Sequence, residues 1–190
     1  MQYFQLIKKI YIMVKICTTR FNRETLQENI QWKKSKNKTT YCVYGSPSML
    51  KQSIKENEWI IVLEMHNDIN KIIGLGLMRN IPIKNNSIYS CGNYNRYTYE
   101  GRIRIDLSNI DTSLSSRDDD TKEDDVLTTE ERIVIRILEL SLFYGQKHSK
   151  RAKGICELPS RINMLYDFKD CLKGIFLRHS KLQNYSSTIR

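Results

Sequence analysis

Two apolar, β-rich runs, Trp59 to Met65 and Lys71 to Met78, flank the turn residues Asn67, Asp68 and Asn70. Nothing else in the chain constrains the fold as strongly. Each run has the length of a strand and is too short for a helix, and the polar residues between them predict a β-hairpin. Gly74 and Gly76 fall inside the second run, where glycine marks a bulge or the close approach of another segment. Further along, Arg102, Ile103, Arg104, Ile105 and Asp106 alternate with period two. This predicts a half-buried strand with the isoleucines on one face and the arginines on the other. Tyr41 to Tyr44 reads as a short strand broken by Gly45, Ser46 and Pro47, and Ser48 to Lys55 as one or two helical turns capped by Ser48.

Thr128 or Thr129 caps a helix with acids in its first turn, whose apolar stripe is Ile133, Ile137, Leu140 and Phe143 or Tyr144, ended by Gly145. A shorter amphipathic helix is expected around Met164 to Leu177, followed by a polar tail from His179. Phe4 to Cys17 reads as a strand or an arm packed on the domain. The polar, basic stretch from Arg20 to Thr40 has weak helical character around Glu24 to Ile30, then a loop, and reads as a tail that could dock on a partner. The expected organisation is a basic N-terminal arm or strand over residues 1–40, one domain over 41–178 with an acidic insertion at 111–128, and a polar tail at 179–190.

The chain has 190 residues, with 31 Lys and Arg against 21 Asp and Glu, a net charge of +10. Residues 111–131 hold nine acids against two bases, so that segment is at −7 and the remainder at +17. A basic excess of this size favours polyanionic partners and salt-sensitive association, although a basic protein with no nucleic-acid role has the same composition. The run Asp118 to Asp125 has no apolar periodicity and reads as a solvated loop. Five scattered cysteines without a CxxC pair argue against a zinc site and suggest reduced thiols in a cytosolic or nuclear compartment. Ile10 to Val14 is too short an apolar run for a signal peptide or a membrane span.

No catalytic constellation stands out, and no cofactor or metal is implied. His66, His148 and His179 each read as surface or loop histidines, the acidic cluster lacks the calcium-loop pattern, and IIGLGLM lacks the third glycine and following helix of a dinucleotide site. The strongest functional signal is YSCGNYNRYTYEGRIRID, in which tyrosines alternate with arginines. Single-stranded nucleic acid is held by that combination, rings stacking on bases and guanidiniums taking phosphates. The same rings also serve as core or cross-strand partners. The basic run KHSKRAKG would neutralise phosphates, act as an import-like patch or form a solvated loop. The candidate nucleic-acid-binding residues are therefore Tyr94, Arg96, Tyr97, Arg102 and Arg104, with Lys147, His148, Lys150, Arg151 and Lys153.

The stretch WIIVLEMHNDINKIIGLGLMRNIPI resembles the central hairpin of PUA-like domains, particularly their YTH and EVE branches. That resemblance implies an α+β fold, a small curved, mainly antiparallel sheet with flanking helices, holding RNA or a modified base. The series VLEMHNDINKIIGLGLMRN, GNYNRYTYEGRIRID and FYGQKHSKRAKGI is similar to a protein type of nucleocytoplasmic large DNA viruses. It implies a viral setting, in a host cytoplasm or nucleus, a virus factory or a virion, and carries no activity with it. Two readings follow: a non-catalytic RNA-binding module with RNA or another polyanion as partner and no membrane, or a structural or interaction protein meeting acidic viral partners. A nuclease would need an acid cluster around a metal.

Overall fold

A computed structural model describes residues 14–83, 86–112 and 126–188. In chain order the elements are β1 (Val14–Phe21), α1 (Arg23–Ser35), β2 (Cys42–Ser46), β3 (Trp59–His66), β4 (Lys71–Arg79), a 3₁₀ turn (Gly92–Asn95), β5 (Tyr97–Gly101) and β6 (Ile103–Asp106). They continue with α2 (Thr129–Phe143), β7 (Cys156–Glu157), the one-turn α3 (Ser160–Asn163) and α4 (Phe168–Thr188). The fold is α+β. A five-stranded sheet of order β6-β4-β3-β1-β7 is antiparallel except where β1 runs parallel to β3, and β2 pairs with β5 in a separate antiparallel ribbon.

The β3–β4 hairpin forms where the residues predict it, with Asn70 in the turn at φ +54°. Its register shifts beside Glu64, which faces Gly74 while Met65 faces Ile72, so Ile73 is the extra residue of a bulge. The strands are apolar almost throughout because both faces of the sheet are covered, as in any sheet with two packed sides. On one face Ile61, Leu63, Met65, Leu75, Leu77 and Ile105 meet α2 and α4. On the other, Ile60, Val62, Ile73 and Met78 meet the β2–β5 ribbon and the inner side of α1. Gly76 permits that second contact, since a Cβ there would collide with the Tyr44 hydroxyl and Cys42.

The N-terminal reading changes from Val14 onward. β1 lies between β3 and β7 inside the sheet, so there is no domain boundary at residue 40. Residues 23–35 form a full helix and not a docking tail. Asn22 and Thr25 build its capping box, and Asn29 and Lys33 are buried. Ser48 to Lys55 is not helical: it winds through turns, Leu50 donating its amide to the Tyr99 hydroxyl at 3.3 Å. The polar tail is likewise corrected, because α4 continues through His179 to Thr188, and His179 Nε2 sits 2.8 Å from the Val126 carbonyl.

Thr128 caps α2 through a capping box with Glu131, as its sequence predicts. The buried stripe is Val134, Ile135, Leu138 and Leu142, whereas Ile133 and Leu140 are exposed. This helix is apolar on two sides, so periodicity alone could not choose the inner one. Buried Glu139 lies on the inner side, accepting from the Ile72 amide beside the bulge (3.0 Å) and from the Thr112 hydroxyl (2.7 Å). The acidic run Asp118 to Asp125 and the segment Phe4 to Met13 lie outside the described residues.

Candidate nucleic-acid interface

β1 and β3 are parallel, so their carboxyl ends, Arg20–Phe21 and Met65–His66, emerge side by side. Asn22 follows at once as the N-cap of α1, and the Arg23 amide donates to Asp68 of the hairpin turn at 2.8 Å. Across this edge runs the basic segment that follows α2. Arg20 holds it: Nε donates to the Ser149 carbonyl and a terminal nitrogen reaches the Gly154 carbonyl at 3.5 Å, while the other donates to Thr18 Oγ1 at 2.9 Å. Asn67 donates to the Lys150 carbonyl (3.1 Å), and the Lys150 ammonium donates to Asn70 (2.7 Å). Gly154 closes the segment at φ +65°, where any side chain is strained and a Cβ would strike Ser46.

Together these interactions enclose a pocket of about 360 Å³. Its walls are Thr19 to Asn22, Thr25, Gly45, Asn67, Tyr89, Tyr94 and Lys150 to Gly154. The lining contains four cations, Arg20, Lys150, Arg151 and Lys153, and no carboxylate. Burial pushes the Arg20 guanidinium below its ordinary value, and among the described residues no aspartate or glutamate is a charge neighbour of it. Tyr94 meets Tyr89 edge-on, ring centres 6.1 Å apart. Tyr89 itself is core, receiving a hydrogen bond from Asn29 at 3.1 Å. Three buried polar atoms at or beside the pocket have no hydrogen-bond partner among the described residues: His66 Nδ1, Asn67 Oδ1 and His148 Nδ1.

No family model, curated protein or solved structure matches this chain. What the site can hold is therefore read from its own chemistry. The tyrosine segment and the basic run, far apart in sequence, meet at one pocket through Tyr94, Lys150, Arg151 and Lys153. Arg96 is exposed at the end of the 3₁₀ turn that carries Tyr94. Lys147 is exposed upstream of the pocket, its carbonyl taken by Arg161, and His148 is half-buried.

Three expected site residues are placed elsewhere. Arg104 is an ion-pair partner of the core: its guanidinium grips Glu64 at 2.8 Å, with the two side chains only 12% and 3% exposed. Burial lowers the Arg104 pKa, and the charge and hydrogen bonds of Glu64 more than reverse that. Tyr97 packs half-buried against the second core on β5. Arg102 lines a different, mainly apolar recess of about 680 Å³ with Trp59, Ile81 and Ile83, where Arg79 stacks 4.5 Å over the Trp59 ring. Conversely, Arg20, Asn22, Thr25 and Asn67 are site residues that the tyrosine and lysine patterns did not flag. The signal was present in TTRFN, a strand running directly into a helix cap with an arginine at its end.

The pocket supplies fixed positive charge and an aromatic rim, which suits binding of an anion. Among the described residues no three His, Cys, Asp or Glu side chains are grouped to hold a metal ion, and no helix is long and apolar enough to cross a membrane. All five cysteines are free. Burial raises the thiols of Cys17 and Cys42, that of Cys42 to about 12, and that of Cys171 to about 11, which keeps them protonated.

Proposed function

We propose that this chain binds single-stranded RNA without catalysis, phosphates entering the pocket at the end of β1 and a base stacking on Tyr94. The observation that carries the reading is the four-cation, carboxylate-free lining next to a half-buried aromatic ring. Guanidinium and ammonium groups take phosphate oxygens, whereas the open face of a half-buried ring offers a surface that any base can use. The resemblance of the hairpin to PUA-like domains points the same way.

Binding measured over a salt series with single-stranded RNA, duplex DNA and heparin tests it. Selective RNA binding is expected. Tyr94→Ala should weaken it by about 1–3 kcal/mol with the salt slope unchanged. Replacing Arg151 and Lys153 by Ala should flatten the slope by about 0.7 for each phosphate that these side chains neutralise. Equal, weak binding to all three polymers would replace this reading with that of an interaction protein for acidic partners.

A further inference from the structure

Arg20 is half-buried and Arg104 is largely buried, and among the described residues an acidic counter-ion lies beside Arg104 and none beside Arg20. Arg20 donates to two carbonyls and a hydroxyl, neutral groups that do not offset its charge. A partly buried charge without an acidic partner is costly, and the cost is relieved when an anion arrives from outside. Lys150 is held by a neutral asparagine oxygen, and the side chains of Arg151 and Lys153 have no partner among the described residues.

Charge and shape together select the kind of phosphate. The pocket is walled by the end of β1, the start of α1, the hairpin turn at Asn67, Gly45 with its two tyrosines, and the segment 150–154. A space of about 360 Å³ is small even for a small-molecule site and takes a group of nucleotide size. An internal phosphodiester would bring one negative charge and require the strand to enter and leave. A terminal phosphate monoester brings up to about two charges near neutral pH and needs one opening. We infer that the pocket recognises the terminal phosphate monoester of an RNA strand, with Arg20, Lys150, Arg151 and Lys153 as its ligands. This rests on the RNA-binding reading above and names the part of the strand that the pocket selects.

The test uses the full chain and one short RNA sequence in three forms, with a 5′-phosphate, with a 3′-phosphate and with hydroxyls at both ends. Titration by fluorescence anisotropy should show at least one phosphorylated form binding about tenfold or more tightly than the hydroxyl form. In Arg151→Gln/Lys153→Gln that preference should disappear, the phosphorylated forms falling to the affinity that the same variant has for hydroxyl-ended RNA. A thermal melt should match the parent, since neither side chain holds the fold together. If all three forms bind equally, the end-recognition inference fails and the RNA-binding reading stands. If none binds, the reading itself fails and takes the inference with it. Adenosine monophosphate is added as a competitor. Competition as strong as that of the phosphorylated strand would make the ligand a free nucleotide and overturn recognition of a strand end.

Discussion

Glu64 and Arg104 show how much depends on single residues here. Glu64 accepts from Arg104 and from the Tyr44 hydroxyl at 2.8 Å, in the layer between the sheet and the β2–β5 ribbon. Replacing Arg104 by Met leaves a buried carboxylate without its cation. We expect a loss of about 3–5 kcal/mol in urea unfolding, a cost to the fold and not to the proposed RNA site. Gly76→Ala should cost about 2–3 kcal/mol by the same measurement, because the new methyl group meets Tyr44 and Cys42 with no room to relax. At the sheet edge Lys15 donates to Glu157 at 2.9 Å, and this hydrogen bond holds the Glu157 carboxyl below its ordinary range. The folded value lies below the unfolded value of about 4.3, so the pair stabilises above that pH and loses its effect as pH falls through the folded value. Both side chains are partly exposed. Glu157→Gln should therefore cost less than about 1 kcal/mol at neutral pH and nothing once the carboxylate is protonated in both states, as read from melts across pH.

At the scale of elements, the segment between α2 and β7 is shaped by its surroundings more than by its own propensity. Gly145 and Gly154 both have positive φ, +79° and +65°, but only Gly154 is crowded. Alanine at Gly145 should cost about 1–2 kcal/mol in a thermal or urea melt, the usual penalty for a left-handed residue, with RNA binding intact. Alanine at Gly154 should carry the same penalty and also push the segment off Ser46, moving Lys153 and weakening RNA binding in an anisotropy titration. The hairpin was legible because its two apolar runs and their turn residues agree with each other. The strand at Arg102 to Asp106 was legible too, with Ile105 in the core and Arg104 on the opposite face. The face of α2 was not, because Ile133, Ile137 and Leu140 satisfy helical spacing as well as Val134, Leu138 and Leu142 do. Packing against the sheet chose between them.

For the whole molecule, the balance of charge governs association. Residues 118–125 hold six acids and one base, so deleting them takes the net charge from +10 to +15. Polyanion association should become faster and more salt-sensitive, which stopped-flow rates at several ionic strengths would show. The sequence by itself determined the hairpin, the cap of α2, the basic excess and the two segments from which a phosphate-binding surface could be built. Each of these depends on neighbours in the chain or on totals that need no geometry. Tertiary structure alone decided which of the candidate cations line the pocket. Arg104 and Lys150 look equally available in sequence, yet one is tied to a core carboxylate and the other faces an acid-free pocket. Whether a charge is free depends on which strands and turns lie beside it. Here that followed from the parallel pairing of β1 with β3, which brings Arg20 under the basic segment more than a hundred residues further along the chain.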